Sequence, residues 1–207
     1  MPFAYDQTII HPFGLQFRFN DQEAEGVIYW HYNTKYYYKH VRGPAGVSST
    51  AVTVHSSENI VEDYFISVVC EDVEAFVRNQ QEKLINFDLT SLVTYEDQKV
   101  LETIINRMCG CLENSLQSRT EKLKVGTFSL SVLEISQAIS AVNLLDFLSM
   151  VTVHLPFEDQ VFTADDLIPL IERQGWRRLG LTIQLHKFSP QVLEEVRKYC
   201  GTTDMNK

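Results

Sequence analysis

The stretch from residue 27 to residue 42 constrains the fold more than any other part of the chain. It reads Val-Ile-Tyr-Trp-His-Tyr-Asn-Thr-Lys-Tyr-Tyr-Tyr-Lys-His-Val-Arg and contains no Asp or Glu. Two runs of aromatic and β-branched residues flank Asn33-Thr34, a pattern that is typical of a β-hairpin with a tight turn. We therefore predict a hairpin whose turn is Asn33-Thr34, with Tyr32 paired to Lys35.

Both faces of the predicted hairpin carry aromatic rings, because side chains alternate across a strand. On the second strand, Tyr36 and Tyr38 share one face, and Tyr37 and Lys39 share the other. We expect one face to pack on the core and the other to bind a partner, since Tyr, Trp and Arg are enriched in interfaces. The predicted partner-binding residues are Tyr29, Trp30, Tyr32, Lys35, Tyr36, Tyr38, Lys39 and Arg42, with a second cluster at Trp176, Arg177 and Arg178.

The order of the remaining patterns predicts an α+β fold. Up to about residue 70, alternating residues and turn signals predict an N-terminal antiparallel β-meander. From about 71 to 201, apolar residues at helical spacing are mixed with short strands, and the longest helix is predicted from Tyr95 to Gln117. Residues 202–207 are predicted to be a short frayed tail. The sequence contains no linker that would separate domains, so we predict one composite domain with a β-rich lobe and a mixed lobe.

Composition restricts the classes of function. The net charge of -9 disfavours general affinity for nucleic acids or anionic membranes. No apolar stretch approaches the roughly 20 residues of a transmembrane helix, and the first residues lack the basic region of a signal peptide. Four scattered cysteines in 207 residues are too few for a disulfide scaffold. We therefore expect an intracellular protein, cytoplasmic or nuclear.

Familiar catalytic motifs do not occur in the sequence. The segment Gly43-Pro44-Ala45-Gly46 lacks the Gly-Lys-Ser/Thr ending of a phosphate-binding loop, and no serine has the glycine spacing of a nucleophile elbow. We expect no cofactor and no catalytic residues. An enzyme whose site is assembled from residues distant in sequence is left as a third alternative.

The Cys109-Gly110-Cys111 segment resembles a metal or redox pair only in spacing. Residues two apart on a helix point to nearly opposite sides, so the two sulfurs would diverge. Cys70 and Cys200 have no cysteine nearby in sequence. We predict that all four thiols are reduced and that none binds a metal.

These observations predict a non-enzymatic protein that mediates protein–protein interaction or assembly through the aromatic and basic hairpin. The alternative is a single-stranded nucleic-acid-binding protein, in which bases stack on the aromatic rings while Lys35, Lys39 and Arg42 contact phosphates. The long apolar stripe of the Tyr95–Gln117 helix and the two-sided hairpin favour self-association. We therefore predict a homo-oligomer, most simply a dimer.

Overall fold

The computed structural model describes residues 14–19, 23–29, 34–42, 48–91, 98–146, 149–157, 163–174, 180–184 and 190–203. The first part of the chain contains strands β1 (Gly14–Phe19), β2 (Glu23–Tyr29), β3 (Thr34–Arg42), β4 (Ser48–Val54) and β5 (Ser57–Val61). Helix α1 (Phe65–Asn79), β6 (Leu84–Ser91), helix α2 (Gln98–Gln117) and β7 (Leu123–Ser131) follow. The last part contains α3 (Ile135–Asn143), β8 (Leu145–Asp146), β9 (Met150–His154), α4 (Ala164–Gln174), β10 (Gly180–Gln184) and α5 (Pro190–Thr203).

The described strands form one mixed sheet. Its order is β10-β9-β7-β6-β1-β2-β3-β4-β5, and β8 pairs with β7 outside this path. Strand β1 pairs in parallel with β6 and antiparallel with β2. It therefore joins an antiparallel meander, β1 to β5, to the parallel strands β6, β7, β9 and β10. The predicted α+β class with an N-terminal antiparallel meander is confirmed.

One face of the sheet carries the core. Apolar side chains recur at every second position, as expected for strands with one buried face. The register aligns them into rows that cross the sheet from β1 to β9. The members of two such rows are all at most 2 % exposed: Leu15, Phe87, Phe128 and Val151, then Phe17, Leu89, Leu130 and Val153.

The helices cover this buried face. Helix α1 contacts β2, β3 and β4, and each helix contacts the next, from α1 to α5. The parallel strands β6, β7, β9 and β10 follow one another in one direction across the sheet. Right-handed crossovers between such strands place the connecting helices on the same face. The predicted apolar stripe of the longest helix is confirmed, because Leu101, Ile104, Ile105, Met108, Leu112 and Leu116 are all buried.

Several predicted boundaries are wrong. The β-branched and aromatic residues between Ile60 and Cys70 predict a single strand within the meander. Strand β5 instead ends at Val61 and helix α1 already begins at Phe65, so the β-rich lobe ends before residue 70. Residues 65–70 are buried throughout, and a short apolar run that is buried on all sides has no period that separates strand from helix. The C-terminal helix α5 continues to Thr203, so the predicted frayed tail is wrong for residues 202 and 203, and residues 204–207 lie outside the described residues.

The ends of two helices show where local signals succeed and fail. Helix α2 ends at Gln117 as predicted, whereas its predicted start at Tyr95 lies outside the described residues. The spacing of Ser131 and Glu134 is typical of a capping box and predicts one at the start of α3. The structure has the capping box three residues later, between Glu134 and Gln137. Ser131 still belongs to β7, where its hydroxyl accepts a hydrogen bond from the backbone N–H of Ser91.

Candidate interaction surface

Strands β2 and β3 form the predicted hairpin in a different register. Ile28 lies opposite Thr34 and Val27 opposite Lys35, and residues 30–33 connect the two strands. The predicted two-residue turn at Asn33-Thr34, with Tyr32 opposite Lys35, is therefore wrong. The register of a hairpin is set by its turn type and loop length. Because both strands are rich in aromatic residues, the sequence does not show where each strand ends, and so it does not determine the loop length.

The two faces of β3 have the predicted difference in environment. Tyr38 is 1 % exposed, and Tyr36 is half-buried against the core. Tyr37, between them, is 46 % exposed, and Lys39 is exposed as well. The assignment of Tyr38 to the partner-binding surface is wrong, because its ring belongs to the core under α1.

Tyr38 is held in the core by an acid on α1. Its hydroxyl donates a hydrogen bond to Asp72 Oδ2 at 3.0 Å, and its ring lies 6.1 Å from that of Phe17. Burial raises the pKa of the Asp72 carboxyl to about 7, although the hydrogen bond from Tyr38 acts in the opposite direction. Burial and the neighbouring Asp72 raise the pKa of Tyr38 well above its ordinary value. This pair joins the sheet to α1 and is structural.

Strands β2, β3, β4 and β5 have one face that points away from α1. We call this the open hairpin face. On it, Tyr37 and Ile60 are 46 % and 51 % exposed. Tyr37 of β3 lies opposite Thr53 of β4, and Ile60 of β5 lies opposite Ala51 of β4. The two exposed side chains therefore lie on either side of β4. A shallow depression of about 470 Å³ lies here, lined by Glu23, Glu25, Tyr37, Lys39, Thr53 and Glu58 among others.

The open hairpin face is not basic, contrary to what the sequence of β3 indicates. Glu25 lies opposite Tyr37, and its carboxylate is 3.6 Å from the Lys35 ammonium. Glu23 lies opposite Lys39, and Glu58 of β5 follows in the same row as Tyr37. Three carboxylates therefore accompany two ammonium groups on this face. The sequence of one strand could not reveal this, since the acids come from its neighbours in the sheet.

The other predicted partner-binding residues are distributed as follows. Arg42 is exposed at the end of β3, opposite Ser48. Tyr29 ends β2 opposite Gly14, and only its backbone is described. Outside the described residues lie Trp30, Tyr32, Trp176, Arg177 and Arg178.

A polar row on the parallel part of the sheet was missed by the sequence analysis. Gln16, Asp88, Ser129 and Thr152 lie side by side on β1, β6, β7 and β9, opposite the helices. Gln16 Nε2 donates to Asp88 Oδ2 at 2.8 Å, while the buried Asp88 Oδ1 has no hydrogen-bond partner. Alternation within each strand was readable from the sequence, but the alignment of strands more than 70 residues apart was not.

The cysteines of α2 point in different directions, as predicted. Cys109 Sγ lies 3.6 Å from the backbone oxygen of Ser131 in β7, whereas Cys111 Sγ lies 3.2 Å from that of Cys70 in α1. Burial raises the pKa of the Cys109 thiol to about 12. Cys70 does have a cysteine beside it that is distant in sequence, because the Cys111 sulfur contacts its backbone oxygen.

Among the residues that the structure describes, no group of three or more His, Cys, Asp and Glu side chains is arranged to hold a metal ion. None of the helices in the same residues is long and apolar enough to cross a membrane. Comparison of the chain with protein-family models, curated proteins and solved structures found no match.

Proposed function

We propose that this protein is a non-enzymatic interaction or assembly protein that binds a protein surface through the open hairpin face. The observation that carries the proposal is the exposure of two large apolar side chains, Tyr37 and Ile60, on one face beside the buried Ala51. An aromatic and an aliphatic side chain surrounded by charged residues have the composition of an interface centre with a polar rim. We propose a second copy of the chain as the partner, in an intracellular compartment.

The charges of this face favour a protein partner over a nucleic acid. Lys35 lies beside Glu25, and Lys39 lies opposite Glu23, so each ammonium group has a carboxylate close by. Phosphates would meet the acids as well as the bases, whereas a protein surface can match alternating charges. The net charge of -9 acts in the same direction.

Sedimentation velocity over a concentration series tests the proposed surface. The variants Tyr37→Ser and Ile60→Ser should weaken self-association by about tenfold or more each, which corresponds to about 1.4 kcal/mol. Ile85→Ser is the matched control, because Ile85 is 57 % exposed on β6, several strands away from β3. Equal effects of Ile60→Ser and Ile85→Ser would contradict the assignment.

The alternative function, binding of single-stranded nucleic acid, predicts a different result. Fluorescence anisotropy of a labelled oligonucleotide, recorded over a salt series, measures it directly. We expect no saturable binding near physiological salt. Micromolar binding that falls steeply with salt and is lost on replacing Lys35 and Lys39 with Gln would favour the nucleic-acid function instead.

A further inference from the structure

Three sulfur atoms meet between helices α1 and α2. Cys70 Sγ of α1 lies 3.6 Å from Met108 Sδ of α2. The Cys111 sulfur lies 3.2 Å from the Cys70 carbonyl oxygen, so it too faces Cys70 of α1. The three residues will be called the sulfur cluster. It is separate from the open hairpin face and from the proposed function.

The spacing on α2 explains why two of these sulfurs face the same helix. Met108 and Cys111 are three residues apart, so their side chains lie on the same side of α2. Cys109 lies between them in sequence but turns toward Ser131 of β7. The sequence alone could not show the cluster, since its third member, Cys70, is distant in sequence and belongs to the run that was predicted to be a strand.

The environment of the cluster is partly sealed from water. Met108 is 1 % and Cys70 8 % exposed, whereas Cys111 is only half-buried. The neighbouring Cys111 and burial raise the pKa of Cys70. The Cys111 sulfur lies close to a carbonyl oxygen and the Cys70 sulfur close to a thioether sulfur, and an S–H can donate to either acceptor. A bound cation would displace these protons.

We propose that Cys70, Cys111 and Met108 form a binding site for a soft monovalent metal ion of the Cu(I) class. Two sulfur ligands that each lie about 2.3 Å from a metal at trigonal or tetrahedral angles are roughly 3.8 to 4.0 Å apart. The observed Cys70–Met108 separation of 3.6 Å requires only a small adjustment to reach that value. This proposal departs from the expectation, made from the sequence, that none of the cysteines binds a metal.

The type of ligand selects the type of metal. Thiolate and thioether sulfurs are soft ligands that prefer Cu(I), and a thioether is a poor ligand for harder divalent ions. Structural zinc sites have four ligands, usually cysteine or histidine. The cluster offers only three sulfurs, one of them a thioether. Zinc is therefore expected to bind far more weakly than Cu(I).

The experiment is an anaerobic titration of the reduced full-length protein with Cu(I) in competition with a chromophoric Cu(I) chelator. Ag(I), which is not redox-active under these conditions, serves as a second probe. We expect one ion per chain and a rise in melting temperature on binding, because only the folded state contains the site. Binding of Zn²⁺ with the same strength and stoichiometry would overturn the assignment to a soft monovalent ion.

Variants separate the cluster from unspecific binding by thiols. Removing a side chain that hydrogen-bonds to a metal ligand typically weakens metal binding by about 10 to 100-fold, so Cys70→Ser or Cys111→Ser, which removes a ligand itself, should weaken it by about 100-fold or more. Met108→Leu keeps the side-chain volume and should weaken binding by about tenfold, with folding unchanged by circular dichroism. Cys109→Ser is the matched control and should bind as the wild type does. Equal loss in Cys109→Ser, or no loss in Met108→Leu, would overturn the proposal.

Discussion

At the scale of single residues, the Asp72–Tyr38 pair makes folding depend on pH. The folded-state pKa of Asp72 is about 7, against an ordinary value of 3.8, so the folded protein holds this proton more tightly than the unfolded chain does. The stabilisation is therefore complete below about pH 4, falls as the pH rises toward 7 and is lost above it. The expected difference between the two limits is of the order of 4 kcal/mol.

Urea unfolding of the wild type and of Asp72→Asn between pH 4 and pH 9 measures this dependence. The variant keeps an oxygen that can accept the Tyr38 hydrogen bond but cannot ionise, so its free energy of unfolding should vary less with pH. Tyr38→Phe removes the donor that favours the ionised form, so the transition should move to higher pH. Parallel curves for the wild type and Asp72→Asn would show that Asp72 does not carry the dependence.

Two glycines are expected to respond to alanine in opposite ways. A Cβ atom on Gly126 of β7 would lie 2.8 Å from the backbone oxygen of Ile85, which cannot move without disturbing β6. Gly126→Ala should therefore lower the free energy of unfolding by about 1 to 3 kcal/mol. Gly110 of α2 has nothing within 4 Å of that position, so Gly110→Ala should raise it by about 0.5 to 1 kcal/mol. Chemical denaturation of both variants checks the contrast, and equal signs would contradict it.

Single residues also show how far sequence reasoning about the site extends. The alternation along β3 correctly placed Tyr36 and Tyr38 opposite Tyr37 and Lys39. It could not say which face is buried, and the inclusion of Tyr38 among the partner-binding residues was wrong for that reason. The deciding contact, with Asp72, joins residues 34 positions apart. The alternation of side chains within one strand carries no information about a contact with a helix that is distant in sequence.

At the scale of secondary-structure elements, the C-terminal end of α1 depends on a side chain from the segment that follows α2. Arg119 Nη1 donates to the carbonyl oxygen of Val77 and, at 3.4 Å, to that of Arg78. Its Nε donates to the Glu121 carbonyl oxygen at 3.0 Å. A guanidinium at this position satisfies terminal carbonyls and complements the helix dipole.

Replacing Arg119 with Ala should lower the free energy of unfolding by about 1 to 2 kcal/mol, because charged hydrogen bonds to the terminal carbonyls of α1 are lost. Arg78→Ala is the control, since Arg78 forms an exposed ion pair with Glu74 one turn earlier on the same helix. Such pairs contribute about 0.3 to 0.5 kcal/mol. Thermal and urea unfolding of both variants test the difference, and equal losses would show that Arg119 is not a cap.

Elements with a clear period were predicted well, and elements without one were not. Helix α2 has a polar face and an apolar stripe, so its period of 3.6 residues was visible in the sequence. The first turns of α1 are buried on all sides, so residues 65–70 had no readable period. The register between β2 and β3 depends on a connection of four residues, 30–33, whereas the predicted register requires a two-residue turn.

At the scale of the whole molecule, the order of strand-like and helix-like patterns in the sequence predicts the α+β class. It does not predict the order and direction of the strands in the sheet. The parallel pairing of β1 with β6 joins residues about 72 positions apart, for example Gln16 and Asp88. Such pairing reflects the packing of all helices on one face, and no local signal predicts it. The same pairing across strands places acids beside the basic residues of β3 and so removes the basic surface that the sequence of β3 indicated.

The proposed use of the open hairpin face makes a specific prediction about assembly. If the same face of two copies meets, the contact is isologous, and the assembly closes once two chains have met. Each Tyr37 then meets the depression of the other copy, and lysines of one chain can face glutamates of the other. The interface leaves no further copy of the surface exposed, so no larger assembly is expected.

Multi-angle light scattering during size-exclusion chromatography measures the outcome. The mass of one chain is 23.9 kDa, and we expect it to rise with concentration and level off at about twice that value. Tyr37→Ser should shift the midpoint to higher concentration, whereas Ile85→Ser should not. A mass of one chain at high micromolar concentration would refute self-association. Continued growth beyond two chains would instead point to heterologous contacts, such as pairing along the exposed edge of β5, in which the open hairpin face is not the contact.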